Sequence, residues 1–600
     1  MEITRRSLLG ASAAVGAGVL LPLPLTSAAN AAVPTGVTPF TEQLPTLANL
    51  GVIDATAGGS ATINMVNATH KFHTALAATP TFAYRATGGS QDYLGPVIVA
   101  KKDVPFDLTV VNNLGPHPLA SVIDYGIMGA VPADATAPRA AVHLHGGNTD
   151  PASDGDPLDF FGHGVSKTYH YGNTQEAAGL WYHDHALAIT RLNVFAGLAG
   201  GYLVRDANDP GDGSTGLPPA PAYEVPLVLQ DRMFNTDGTF NYPPNPVPVT
   251  PGGGPWIPEF FGDVATVNGK AWPNLAVARG KYRFRVYNGS QARFYNMKLK
   301  SSLGKVLPFF QIGSDGGLLN APVPLTKLLL APGERADLVV DFAALAVGTK
   351  VVLTNDANAP FPTGPTAIKR GGMPLPQIMQ FTVTSKVGWT APLPANLRLR
   401  TAPVTRLAGV PVVATQNIVL VEVHNAAGEP TMVLLNNRNF LDATGQPPSP
   451  VLTVGTDTLE EWDLINTTVD AHPMHLHFTQ FQVLNRQSFK VAAYLTAAYG
   501  VKPVGAPVWP VPNTTTYPSI PVAPFLRGGV STPAPNEQGW KDTIVAMPGE
   551  VTRILVPFGA NPAGVLGPMA IGASHTGNYV SHCHILEHEE NDMMLRYRIV

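Results

Sequence analysis

Cysteine occurs once in this chain of 600 residues. A lone thiol cannot close an internal disulfide, which excludes a disulfide-stapled scaffold and equally a multi-cysteine zinc or iron–sulfur protein. Charge is scarce as well. Asp, Glu, Lys and Arg make up 13% of the residues, roughly half of ordinary usage. The net charge of −4 leaves no basic footprint for nucleic acid. Beyond Leu25 no apolar run reaches the ~18 residues that suggest a membrane helix, so no stable membrane insertion of the mature chain is expected. Helical periodicity is rare throughout.

Glycine and proline are abundant, at 59 and 58 residues. Hydrophobic residues still make up 45%, which excludes a disordered chain. Many short strands joined by turns fit this balance, so the expected class is all-β. Three runs read as strands ending in asparagine: Phe106 to Asn112, Tyr282 to Asn288 and Glu461 to Asn466. Pro332-Gly333-Glu334-Arg335 and Pro548-Gly549-Glu550 form a second echo, each leading into an apolar strand. Together they suggest three similar β units. Breaks fall in the Pro/Gly-rich stretches near 205–222 and 386–404, giving domains over 32–208, 209–390 and 391–600. The Pro-rich segment 500–535 reads as a surface excursion within the third.

The first residues read as a leader. Thr4-Arg5-Arg6-Ser7-Leu8-Leu9 resembles a twin-arginine export signal, an apolar stretch runs to Leu25, and Ala29-Asn30-Ala31 offers small residues for cleavage. The expectation is a signal peptide over 1–31 and export to the cell envelope, periplasm or exterior.

Seventeen histidines are present, and ten of them fall in four short segments. These are His143-Leu144-His145, His183-Asp184-His185, His472-Pro473-Met474-His475-Leu476-His477, and His582-Cys583-His584 with His588. Each contains a His-x-His pair. On a strand, residues i and i+2 share a face, so each pair presents two imidazoles side by side. Imidazole suits zinc, copper, iron and nickel, and eight clustered imidazoles point to metal. The other seven histidines (70, 73, 117, 163, 170, 424 and 575) read as surface or hydrogen-bonded core residues.

The single cysteine sits between two of the clustered histidines. By the same alternation Cys583 faces away from His582 and His584, so a thiolate and two imidazoles can serve two metal centres a few covalent bonds apart. His472, Cys583, His588 and Met593 make a two-His, one-Cys set with a weak axial Met, the ligand set of a blue-copper electron-transfer site. Met594 adjoins Met593, but the spacing from His588 favours Met593. Zinc would have no use for a thiolate wired to a histidine cluster.

The four segments resemble those of the multicopper oxidases. In particular, His143-Leu144-His145-Gly146-Gly147, Leu180-Trp181-Tyr182-His183-Asp184-His185-Ala186 and His582-Cys583-His584-Ile585-Leu586-Glu587-His588-Glu589 resemble the branch of bacterial spore-coat laccase, bilirubin oxidase and phenoxazinone synthase. Val267-Asn268-Gly269-Lys270 and Gly539-Trp540-Lys541-Asp542 extend the likeness. The resemblance implies three consecutive cupredoxin-like Greek-key β-barrel domains and four copper ions: one type 1, one type 2 and a type 3 pair. His143 and His475 would hold type 2. His145, His183, His185, His477, His582 and His584 would hold the type 3 pair. Asp184 takes the place in domain one that Cys583 takes in domain three, leaving blue copper to the third domain alone.

The activity so implied is a laccase-like one-electron oxidation of phenols, aminophenols or related aromatic donors, coupled to four-electron reduction of O₂ to water. Electrons would enter at the edge of His588 and leave through Cys583. Asp154 and Glu589 match the branch pattern for carboxyls that hold and release the protons consumed. The partners expected are a small aromatic donor and O₂, with the chain a monomer. One alternative is a metal oxidase for Cu(I), Mn(II) or Fe(II), although the 13 methionines are scattered rather than gathered for soft Cu(I). The other is a non-catalytic copper-binding envelope protein.

Overall fold

A computed structural model describes residues 36–600, apart from 246–249, 251–252, 365–373, 427–429, 443, 449–450, 504–505, 507, 513–519, 560–566 and 568–570. The expected leader over 1–31 lies outside the described residues. Strand accounts for 43% of the described residues and helix for 8%, so the class is all-β.

Six sheets fall into three successive pairs. The first pair spans Val52 to Arg205, the second Glu224 to Val387 and the third Ala414 to Ile599. One three-strand unit recurs in each pair. Gly59–His70 lies parallel to Phe106–Asn113, which pairs antiparallel with Ser166–Tyr171. Glu224–Arg232, Lys281–Asn288 and Arg335–Asp341 repeat this arrangement, as do Ala414–Asn425, Thr458–Asn466 and Glu550–Phe558. The architecture is that of cupredoxin-like domains.

The recurring asparagine has a structural cause. Asn112, Asn288 and Asn466 are all buried. Each side-chain amide donates to two backbone carbonyls: Pro138 and Phe161, Arg293 and Leu330, Asp470 and Ala546. Each side-chain oxygen accepts the N–H two residues on, from Leu114, Ser290 and Thr468. Each backbone carbonyl accepts from a glycine N–H, of Gly164, Gly333 and Gly549. Those glycines sit at φ +77°, +81° and +68°, a left-handed conformation that glycine reaches without strain. The second echo in the sequence is therefore the partner of the first. Its third member, His163-Gly164-Val165, lacks the flanking Pro and Glu that made the other two visible.

The few charges are drawn inward. The segment after Arg205 is tied to the middle sheets by a buried network. Arg283 forks onto Asp209 at 2.7 and 2.8 Å and also onto Asp337, Arg285 bonds both carboxylates, and Arg205 forks onto Glu224 at 2.8 and 3.0 Å. Removing one member of such a network leaves an uncompensated buried charge, so the set persists as a whole.

The asparagine lock gives a stability prediction. Asn112→Ala leaves the Pro138 carbonyl and the Leu114 N–H without these partners, and should cost about 2 kcal/mol. A lowered midpoint of urea unfolding, with spectral properties of the folded chain unchanged, is the expected result.

Candidate metal centre

Two hairpins carry the histidines. Val142–His145 pairs with Gly179–Asp184, setting His143 opposite His183 and Val142 opposite Asp184. His472–Leu476 pairs with Gly577–Cys583, setting His475 opposite His582 and Met474 opposite Cys583. The register is the same in both, so Asp184 stands where Cys583 does. The second histidine of each pair lies at or just past its strand end, and ring centroids within the pairs are 5.1–5.9 Å apart.

All eight imidazoles are buried and converge from the first and third sheet pairs. Three groups bring their ligand atoms within 4.8 Å of one another: His143, His475 and His477; His145, His183 and His584; His185, His477 and His582. Hydrogen bonds on the outer sides of the rings fix which nitrogens face inward. Nδ1–H donates to the carbonyl of Asp154 from His143, of Asp542 from His475, of Asp184 from His183 and of Cys583 from His582, at 2.6–3.0 Å. That of His477 donates to Asp154 Oδ2 at 2.7 Å. A carbonyl can only accept, so Nε2 of these rings carries a bare lone pair. Yet Nε2 of His143 and His475 face each other at 3.4 Å, and of His477 and His582 at 3.1 Å.

His145 is turned the other way. Its Nε2 points at Asp542 Oδ1 and Thr543 Oγ1, both 3.1 Å away, and its Nδ1 has no hydrogen-bond partner. Nε2 of His183 and both nitrogens of His584 are likewise unpartnered. Burial drives the pKa of most of these rings below the ordinary range, about 3 for His183, so protons cannot relieve the crowding. Buried bare nitrogens at such distances repel, and a cation between them removes the conflict. The arrangement fits metal ions held by neutral imidazoles.

A fourth group unites His472, Cys583 and His588. Cys583 Sγ lies 3.7 and 3.8 Å from Nδ1 of His472 and His588, and those nitrogens are 3.2 Å apart. Thr468 accepts from His472 Nε2–H at 2.7 Å while donating to Asn466, which leaves Nδ1 bare. Met593 is fully buried, shares its apolar cluster with Cys583, and accepts the Cys583 N–H on its carbonyl at 3.0 Å. Met594 packs elsewhere, with Ile127, Trp256 and Phe440. Burial pushes the Cys583 thiol well above its ordinary pKa, so a thiolate here needs a bound cation. The donor set, one thiolate with two imidazoles, is the soft one that copper favours.

The first domain's counterpart of this group is closed. Counting from the matched histidines places Ala140, Asp184 and Ile189 where the third has His472, Cys583 and His588. Asp184 is satisfied by the N–H groups of Ala141 and Ala186 and by Asn193 Nδ2.

Both expected carboxyls reach the histidine cluster. Asp154 touches two rings as described and accepts from Thr149 at 2.9 Å. Burial pushes its carboxyl up to about 8, with Thr149 opposing. Glu589 lies 3.1 Å from His582 Nδ1 and 3.5 Å from His185 Nδ1. Burial raises its carboxyl, and a proton on His582 or His185 would lower it. Asp542 escaped sequence reasoning. It lies within a tetrapeptide noted for resemblance only, and its grip on His145 depends on contacts across 397 residues. Among the described residues the other seven histidines join no metal-ligating group. His70, for example, bridges Asp92 and the Gly269 carbonyl.

Models of the family described as multicopper oxidase match residues 135–209 and 418–600. A laccase of Bacillus subtilis is 36% identical over 549 residues, covering 89% of this chain and 92% of its own. Multicopper oxidase LPR1 of Arabidopsis thaliana is 33% identical over 579 residues, covering 94% and 93%. Among solved structures, the McoA multicopper oxidase of Aquifex aeolicus superposes with a TM-score of 0.67 at 24% identity, covering 93% of this chain and 99% of that one. Together with the four convergent ligand groups, these likenesses establish that the chain belongs to the multicopper oxidases, copper-dependent oxidoreductases that use O₂.

Proposed function

We propose that the protein is a laccase-like oxidase of phenolic, aminophenolic or related aromatic donors. The observation that carries the reading is the pair of donor sets joined through Cys583, one on each side of the same strand end. Bound copper supplies one-electron redox chemistry at both. His472, Cys583, His588 and Met593 are the type 1 set, His143 and His475 the type 2 set, and His145, His183, His185, His477, His582 and His584 the type 3 set, for four ions in all. Four one-electron oxidations match the reduction of one O₂ to two waters, which consumes four protons.

The side chains divide this work. As the family resemblance implies, the edge of His588 is where a donor meets the type 1 set. The Cys583 backbone joins that set to His582 and His584 by a few covalent bonds. Asp154, its carboxyl raised by burial, accepts from His477 and Thr149 and takes up and passes on a proton that the reduction consumes. Glu589, ionised beside His582 and His185, receives protons on their way in. The three domains run over 32–208, 209–390 and 391–600, and the chain is exported by the leader over 1–31 as a monomer. No helix among the described residues is long and apolar enough to cross a membrane.

A second reading, oxidation of a metal ion such as Fe(II), Mn(II) or Cu(I), has one observation in its favour. Glu259 and Asp470 both feel Glu422, and Asp470 lies two residues before His472. Burial first, and Glu422 second, push Asp470 up to about 8. Burial and the same neighbours raise Glu259. Like charges held together attract a cation.

Two experiments test these readings. Cys583→Ser should give a folded chain without the blue absorption band and without oxidase activity. A donor panel with O₂ uptake should show phenols turning over faster than metal ions, and Asp470→Asn should leave phenol kcat/KM unchanged. A preference for the ions, with Asp470→Asn lowering their kcat/KM about ten-fold, would instead establish the metal-oxidase reading.

A further inference from the structure

Arg335 and Asp542 form an ion pair where the three domains meet beside the histidine cluster. Arg335 Nη1 and Nη2 fork onto Asp542 Oδ1 and Oδ2 at 2.6 and 2.5 Å, and both residues are buried. Arg335 is itself fixed from every side. Its N–H donates to Asp315 Oδ1, its Nε–H to the Gly179 carbonyl and its Nη2–H to the Asp315 carbonyl. Lys541 completes the frame at 2.8 Å from Asp315 and 3.1 Å from Glu334.

Asp542 in turn holds two rings of different ligand groups. Its Oδ1 accepts from His145 Nε2–H at 3.1 Å and from Thr543 Oγ1 at 2.9 Å, while its carbonyl accepts from His475 Nδ1–H. The glycine of His143-Leu144-His145-Gly146-Gly147 records the same clamp. A Cβ on Gly146 would lie 2.5 Å from Arg335 Nη2 and 2.7 Å from Asp542 Oδ2, and its φ is +85°.

We propose that Asp542, held by Arg335, is the positioning residue that sets the tautomer of His145, so that this ring offers Nδ1, not Nε2, to the histidine cluster. The inference rests on the copper-binding reading above. The chemistry is one of acceptors. A carboxylate has no proton to give, so the nitrogen facing it must be N–H, and the far nitrogen must be bare. An amide at this position breaks that logic. If its oxygen stays toward His145, its NH₂ faces the guanidinium and the fork is lost. If it flips, its NH₂ faces Nε2, the ring takes the other tautomer, and Nδ1 carries the proton that a metal must displace.

The test is copper reconstitution of Asp542→Asn beside the parent chain, read by copper per chain, by the blue band and by the paramagnetic resonance of histidine-bound copper. The blue band of the Cys583 site should be unchanged, while affinity for copper at the histidine cluster falls about ten- to a hundred-fold. Arg335→Lys keeps the charge but not the fork, and should give a smaller loss of the same kind. It decides the matter if Asp542→Asn does not fold. Full copper occupancy and an unaltered histidine-copper signal in the variants would overturn the proposal. So would a parallel loss of the blue band, which would make the pair a general support of the fold. A parent chain that takes up copper only at Cys583 would sink the copper-cluster reading itself.

Discussion

Crowded lone pairs are the constraint on which this molecule turns. Imidazole nitrogens that carry no proton stand 3.1–3.4 Å apart in the interior, a distance at which they repel unless a cation lies between. Every outer hydrogen bond of those rings works toward the same end. Backbone carbonyls and two carboxylates absorb the N–H groups, so that bare nitrogens turn inward. The metal preference is thus written in the second layer of contacts as much as in the ligands. The same logic governs Cys583, whose burial would otherwise keep it a thiol.

Much of this was legible in the sequence, for identifiable reasons. Strand alternation makes His-x-His a local statement about a shared face, so the four pairs and the opposed cysteine could be read from spacing alone. The asparagine echo was legible too, because one residue type must meet the same three backbone groups in every unit. The glycine partner in the first unit was not, since only its φ matters and His163 and Val165 carry no mark of it. Asp542 was hidden for a different reason. Its role is defined by what folding brings from 207 residues away in Arg335 and farther in His145, and no local pattern encodes such a meeting. Met593 and Met594, between which spacing alone had to choose, lie in separate apolar clusters.

Low charge proved to be a matter of placement rather than mere shortage. Arg205, Arg283, Arg285, Asp209, Glu224 and Asp337 lock the first connection to the middle sheets. Arg335, Lys541, Asp315, Glu334 and Asp542 lock the middle to the third. Arg191 of the first domain pairs with Glu590 on the short helix that carries His588. Ion pairs buried this way add little net stability, but misplacing any one member is costly. They therefore fix how the sheet pairs meet, and a cluster shared between the first and third needs that fixity.

The split of the histidine cluster has a consequence for the order of events in the cell. His143 and His475 face each other across 332 residues of chain, and His185 and His582 across 397. While the polypeptide is still being made, the segment up to His185 can offer a metal only one or two of the three histidines of each shared group. The cluster comes into being only once the later histidines have been made and folded against that segment. A metal held by whole groups is therefore bound after the first and third sheet pairs have met.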